Sequence, residues 1–524
     1  MHASGALELN SVKETVVDLR ADRTEVLVVG AGPTGLTLAA DLARRGVRAL
    51  VVERADALFP GSRGKGLQPR TLEVLHDLGV LDAVLAAGGP YPVGMIWQDG
   101  VRAGEHRLSD EVAADEGAPF AGPWMLPQWR TQEILATRLA ELGGAIAFGR
   151  EVAGIEQDAE GVTVAFTSGP PARARYVVAA DGGRSALRRA LGIGMTGEQV
   201  DPQPMLVADV RVEGLDRDHW HIFPPAGENG YLAVCPLAGT EDFQLVAQFP
   251  EGAAPDLSPE GVRAVVAARS HLAPADVTEV RWASDFRPRA ALADRFRRGR
   301  VLLAGDSAHV HSPAGGQGLN TGVQDAYNLG WKLAAVLGGG ARASLLDSYE
   351  EERRPVAAAM LGLTTRIHRG ETRRGNATRQ LGIGYRDSAL TVESRTGLTE
   401  GALRAGDRAP DGIRGGVRLF EEFRGTHWTL LAVGAAAEAR LPRTPGRGPA
   451  APTGTEAVRT LRIPSYEAYG EGLFLIRPDG HVGWAGTSPE DLPAYAARFA
   501  GPPPASGRTG PRDQASKRWR AASM

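Results

Sequence analysis

The stretch TEVLVVGAGPTGLTLAADLARRGVRALVVER, residues 24–54, constrains the fold more than any other part of the chain. TEVLVVG, Thr24–Gly30, is a β-branched run bounded by glycine and reads as a buried strand. The residues after it read as a helix with small side chains on one face and Gly46 as its stop. VRALVVER, Val47–Arg54, is a second buried strand. Strand, helix and strand within about 30 residues make a crossover unit, so the two strands run parallel. The turn between them, Gly30-Ala31-Gly32-Pro33-Thr34-Gly35, has dinucleotide-binding spacing. Gly30 permits the tight turn, Gly32 lets a pyrophosphate approach bare backbone, and Gly35 lets helix and strand pack closely. The helix start adds free N–H groups and a positive dipole end for the phosphates. Glu53 ends the second strand where a carboxylate can accept from ribose hydroxyls. FAD and NAD are both open at this point.

A second stretch decides between them. RVLLAGDSAHVHSPAGGQGLN, residues 300–320, is another buried strand that ends on Gly305-Asp306. Ligands of parallel sheets bind at the C-terminal ends of the strands, and a carboxylate there suits the hydroxyls of a ribityl chain. Pro313 stiffens the following turn, and Gly318, Leu319 and Asn320 present bare N–H groups at the start of a helix. That positive end suits a group that becomes anionic, as reduced flavin does at N1 and the C2 oxygen. The reading is therefore FAD.

Bulk properties exclude other classes. A chain of 524 residues exceeds one ordinary core, so two or three domains are expected. A net charge of −3 gives no general reason to expect nucleic acid or an anionic membrane as partner. No apolar run reaches the length of a membrane span, and the charged N-terminus does not resemble a secretory signal, so a cytoplasmic protein is expected. The one cysteine, Cys235, excludes intramolecular disulfides and reads as a packing residue. Abundant Arg, Ala, Gly and Pro beside four lysines suggests a GC-rich bacterial host.

Between about Pro204 and Arg281 the pattern changes to alternating strands with turn signals, an antiparallel sheet with one wet face. In HWHIF, His219 and His221 share one face. They read first as a solvated pair, with a substrate-facing role as the alternative; on that alternative His221, Phe223 and Tyr231 are the candidate substrate contacts. His309 and His311 have no third ligand nearby and read as packing and turn residues, so no metal is expected. Glu350 to Arg354 read as a charged helix face, and Pro355 as the bound or bend of that helix.

The motifs together resemble those of the class A flavoprotein aromatic hydroxylases, the p-hydroxybenzoate hydroxylase-like monooxygenases. GDSAHVHSPAGGQGLNTGVQDAYNLGWKL is similar to that family's flavin motif, and YVVAADGGRSALRR to its second motif, through Asp181, Gly182, Ser185 and Arg188. The resemblance implies that Arg63 in SRGKGLQPRTLEVL reaches the flavin, that Gln128 in LPQWRTQEIL contacts it, and that Pro313 abuts its ring. Arg54 and Val152 complete the implied cofactor set. It also implies an anchoring role for Tyr349, Glu352 and Arg353. The wording looks closest to aromatic polyketide hydroxylases of antibiotic pathways. The implied reaction is hydroxylation of a polycyclic aromatic small molecule through a flavin C4a-hydroperoxide, with FAD bound, NADPH or NADH docking transiently, and O2 as oxidant. No catalytic base is assignable. Baeyer–Villiger insertion and a flavin reductase or dehydrogenase without oxygen chemistry are the alternatives, and the oligomeric state is open.

The expected architecture is α/β. A Rossmann-like FAD-binding domain takes residues 23–95, 122–200 and 282–400, and a substrate-binding β-sheet domain takes 96–121 and 201–281. A cysteine-free thioredoxin-like domain follows at 406–500. Residues 1–22 read as a polar extension and 501–524 as a disordered tail.

Overall fold

The run Thr24–Val29 lies inside a largely parallel sheet, in the order Arg297–Arg298, Val301–Leu303, Ala172–Ala179, Thr24–Val29, Ala49–Val52 and Ala145–Ala147. The last five strands run parallel, which brings their C-terminal ends to one edge, about 4.8 Å from strand to strand. The computed structural model describes residues 24–107, 113–120, 122–225, 230–440, 452 and 458–499. The expected N-terminal extension and C-terminal tail lie outside the described residues. Helices Pro33–Arg44 and Gly318–Leu337 pack on this sheet. Pro33 sits at the first helical position, where its missing N–H costs nothing. Gly46, at φ +75°, closes the same helix as expected.

A second sheet runs Val277–Phe286, Met205–Val212, Phe243–Gln248, Leu232–Pro236, His219–Phe223, Val93–Gln98, Val101–His106. Its pairings are antiparallel except that of His219–Phe223 with Val93–Gln98. The sheet thus begins at Val93 and extends to Phe286, across the expected boundaries at 95 and 281. Alternation assigns its two faces. Leu206, Ala208, Val210, Phe223, Val234 and Leu245 pack with Val262 and Val266 of the helix Pro259–Arg269. The opposite face, with Asp209, Trp220, Cys235, Gln244 and Trp282, meets the loop around residues 59–66. There the Ser62 carbonyl accepts from Gln244 Nε2 and Lys65 Nζ donates to Gln244 Oε1.

A third sheet has the order Val392–Glu393, Val482–Gly486, Gly472–Ile476, Trp428–Val433, Val458–Ile463. Trp428–Val433 runs parallel to Val458–Ile463 and antiparallel to Gly472–Ile476. It docks on the Gly318–Leu337 helix, where the Trp331 and Trp428 rings meet edge to face at 5.6 Å. Two expectations are narrowed locally. Helix Asp347–His368 continues through Pro355, so the proline does not bound it. Pro355 is exposed, so the carbonyl that its missing N–H leaves free is open to water. Glu352 and Arg353 are buried (3% and 0% exposed), so they do not belong to a charged surface. Among the described residues no helix is long and apolar enough to cross a membrane.

Candidate cofactor and active site

The shared C-terminal edge of the parallel strands gathers four of the predicted groups: Asp306 after Leu303, Asp181 after Ala179, Gly30 after Val29 and Glu53 after Val52. Gly30 has φ +111°, and a Cβ there would collide with the Ala180 carbonyl. A Cβ on Gly35 would meet the Gly30 carbonyl, so the helix lies directly on the turn. Gly32 has nothing within 4 Å of where a Cβ would stand, which leaves the phosphate cradle open. Thr34 is packed against Gly305 and Gly322.

These residues fit FAD on grounds separate from the motif. The N-terminal turn of the Pro33–Arg44 helix has no side-chain cap, so its N–H groups face the open cradle. Asp181 Oδ2 accepts from the backbone of Ala186 and Leu187, at 2.8 and 3.3 Å, while Oδ1 is buried without a partner. Gly182 beside it has open space. Glu53 receives the N–H of Ala31 at 2.9 Å and of Ala55 at 3.1 Å, which fixes its carboxylate at the strand end. Val152 begins a strand next to this corner, where the Arg150 N–H donates to the Glu53 carbonyl at 2.8 Å. Arg63 is held over Phe59 and Trp282, at 5.1 and 5.8 Å, and donates to Ser284 Oγ. Burial pushes its pKa down, Asp306 holds it up, and Arg184 and Arg54 lower it further. Arg63 therefore feels both Asp306 and two further guanidinium groups.

Two predicted contacts have their side chains already engaged. Gln128 Oε1 accepts from Gly64 N–H at 3.1 Å and its Nε2 donates to Gln132, so this amide holds the Arg63–Gly64 loop. Asn320 accepts from Gln68 N–H at 2.7 Å and donates to the carbonyls of Gly66 and Gly316. Only the backbone of the Gly318 helix start, with Gly318 and Leu319, faces a ligand freely at that position. Leu319 lies close under Gly64. Pro313 is exposed, on a loop braced by Ser312 against His368 (3.1 Å) and by Arg374 against the Ala314 carbonyl.

The substrate contacts need correction. His221 is fully buried, accepts from Trp97 Nε1 at 3.1 Å, and shares with Phe223 the sheet face that the Pro259–Arg269 helix covers. It is neither half of a solvated pair nor on the face toward the cofactor edge. The strand alternation was read correctly, but a sequence does not say which face another helix covers. Tyr231, by contrast, reaches Met205 on the other face. The face toward the 59–66 loop carries a cluster that sequence reasoning missed. Lys65 lies 4.2 Å from the Trp220 ring centre, beside Gln244, Cys235 and Asp209. The available signals were one of four lysines inside SRGKG and a lone carboxylate in the apolar strand MLVADVRV.

Burial pushes the Asp209 carboxyl up to about 6; Ser62 and Lys65 pull the other way. Its oxygens face Ser62 without a well-aligned hydrogen bond. A folded pKa above the unfolded one means that the folded state binds the extra proton between the two, so the cost of this group to stability builds up as pH rises from about 4 and is complete above about 6. Asp209→Asn should therefore raise stability at neutral pH by up to about 3 kcal/mol, the gain vanishing below about pH 4. Thermal unfolding across that pH range measures it.

Comparison with known proteins agrees with this geometry. Residues 23–364 match the FAD binding domain family and 403–503 the aromatic-ring hydroxylase C-terminal family. The chain is 43% identical to a flavin-dependent monooxygenase of Mycobacteroides abscessus, over 90% of this chain and 99% of that protein. It is 35% identical to 6-methylpretetramide 4-monooxygenase of Streptomyces rimosus, over 88% of this chain and 90% of that one. Aklavinone-11 hydroxylase, solved with FAD and aklavinone, superposes with a TM-score of 0.77 at 31% identity, over 91% of this chain and 99% of that chain. Fold and site thus define an FAD-binding flavoprotein. The chain belongs to the FAD-dependent aromatic-ring hydroxylases and is a flavoprotein monooxygenase.

Proposed function

We propose that this monooxygenase hydroxylates a polycyclic aromatic substrate of polyketide type, with NADPH or NADH as transient electron donor and O2 as co-substrate. The observation that carries this reading is the near full-length match to enzymes named for such substrates, together with a cofactor edge that opposes a large sheet face. FAD, when bound, supplies the electron-transfer and oxygen chemistry. The chain's own residues bind and orient it. The Gly30–Gly35 turn and the helix start at Pro33 would hold the pyrophosphate, with Asp181 and Gly182, and Glu53 would hold the adenosine ribose. Asp306 would accept from the ribityl hydroxyls, and the Gly318–Asn320 backbone, Arg63 and Pro313 would serve the ring end. The Lys65–Asp209–Trp220 face, covered by the 59–66 loop, keeps the far wall dry.

In this reading the parallel sheet with its helices is the FAD-binding domain and the seven-stranded sheet the substrate domain. The C-terminal sheet is thioredoxin-like. Its mixed strand order, with two parallel and two antiparallel pairings, supports that topology. The same reading favours the cytoplasm of a bacterium with GC-rich DNA.

Asp306→Ala is expected to weaken FAD binding by about 10- to 100-fold, the worth of hydrogen bonds to a charged group. Quenching of flavin fluorescence on titration into apoprotein measures it, and an unchanged Kd removes Asp306 from the site. The test of the reaction is NMR of the product: a new phenol supports hydroxylation and an inserted ester oxygen supports Baeyer–Villiger chemistry. Reduction of acceptors without oxygen incorporation supports a reductase.

A further inference from the structure

The protein buries a chain of titratable groups that the functional reading leaves unused. Arg353 Nε donates to Asp325 Oδ1 at 2.7 Å, Asp325 Oδ2 meets His309 Nε2 at 2.6 Å, and His309 Nδ1 meets His311 Nε2 at 2.9 Å. Arg353, Asp325 and His309 are each 0% exposed. The Gly305 N–H also donates to Asp325 Oδ2, so the carboxylate cannot turn away. This arrangement replaces the expectation that His309 and His311 serve only packing and turns.

Proton counting orients the chain. Burial alone would raise the Asp325 pKa, but His309 and Arg353 hold it below the usual carboxylate range, so it is ionised and only accepts. His309 therefore carries its proton on Nε2 and offers Nδ1 as an acceptor. His311 must then donate through Nε2, which leaves its Nδ1 bare. That nitrogen is buried and has no partner. Burial and the neighbouring His309 keep this imidazole neutral. The ring lies against the first residue of the Gly318 helix: a Cβ on Gly318 would stand 3.6 Å from His311 Cβ and 3.9 Å from Asp306 Oδ1. An orphaned acceptor thus sits at the helix end where negative charge is expected to collect.

We propose that His311 Nδ1 is a proton acceptor at the cofactor end of the Gly318 helix, with Asp325 and His309 as the positioning pair that keeps it bare and takes up its charge. A proton from solvent binds His311 Nδ1, and the His311 Nε2 proton crosses to His309 Nδ1. The positive charge comes to rest on His309 against Asp325. One proton is gained and no electrons move. Asp306 and Asp325 favour the uptake, Arg353 opposes it, and two-electron reduction of the site supplies the balancing negative charge. The inference rests on the reading that FAD binds there.

The test is nitrogen NMR of the FAD-loaded full chain with labelled histidine, oxidised and then reduced anaerobically, with His311→Asn used for assignment. The expected result is a proton on Nε2 alone in both rings when oxidised, and on both nitrogens of His309 when reduced. Measured with an indicator dye, His311→Asn should lose this proton uptake, and its flavin should be harder to reduce than the parent's. A proton on His311 Nδ1 in the oxidised enzyme would overturn the proposal, as would bleaching with both rings unchanged. A preparation that cannot hold FAD would overturn the cofactor reading and the proposal with it.

Discussion

Glu352→Ala is expected to free the C-terminal sheet from the cofactor-binding core. Five donors converge on this one carboxylate. Arg477 supplies two, at 2.7 and 2.9 Å, and Lys332, Asn328 and Ser388 supply one each, all at 2.7 Å. Arg477 lies in the C-terminal region, and Lys332 and Asn328 lie on the Gly318–Leu337 helix. Burial works against the Glu352 charge, but Arg477 and Lys332 outweigh it and hold the carboxyl well below its usual range. Burial pushes Lys332 down to about 8 even with Glu352 beside it. Without the carboxylate Lys332 stays buried without an acidic partner and Arg477 keeps only Asp479, a loss of about 3–5 kcal/mol. Because the folded pKa of Glu352 is depressed, its contribution is present above the ordinary glutamate range and is lost as pH falls below it. Hydrogen exchange over Gly472–Gly486 should rise in the variant by the factor that this loss implies. Exchange unchanged from the parent would show that the remaining contacts, among them Asp479 with Asn328, Trp331 and Arg70, hold the sheet without Glu352.

The second large effect belongs to Gly30→Ala. This residue combines φ +111° with a blocked Cβ position against the Ala180 carbonyl, which belongs to the neighbouring strand's end. Neither the turn nor the strand can yield without moving the pyrophosphate cradle. The positive φ and the collision each cost about 1–3 kcal/mol. The variant should purify colourless or with strongly reduced FAD content, and with a lower midpoint of thermal unfolding. A yellow, equally stable variant would mean that the turn is not tightly packed. Gly32→Ala is the control, since its Cβ would enter open space where only a bound pyrophosphate would meet it.

The parallel sheet and its cofactor edge were legible because short-range patterns determine them. GAGPTG, Glu53 and the Gly305-Asp306 strand end each lie within a few residues of the element that positions them. The groups missed were those whose environment is set by distant chain. Nothing local to HWHIF tells that His221 faces the Pro259 helix; the anchoring role that the resemblance implies for Glu352 and Arg353 names neither Arg477 nor Asp325 as the partner. His309 and His311 were placed correctly on their turn, yet their relay needs Asp325, one helix away. Gln128 and Asn320 are singled out by the motifs, but the sequence could not show that their amides are spent on Gly64, Gly66 and Gln68. Pro355 illustrates the same limit: a helix interior tolerates proline where that turn faces water.

The central claim, oxygen insertion into a polycyclic aromatic by a flavin-dependent enzyme, is tested most directly by turnover of the purified yellow protein with NADPH, a panel of polycyclic phenols and isotopically heavy O2. The account predicts that at least one phenol stimulates NADPH oxidation and yields a product carrying one heavy oxygen as a new hydroxyl. NADPH oxidation that never places heavy oxygen in any product, while an added acceptor is reduced instead, would contradict it.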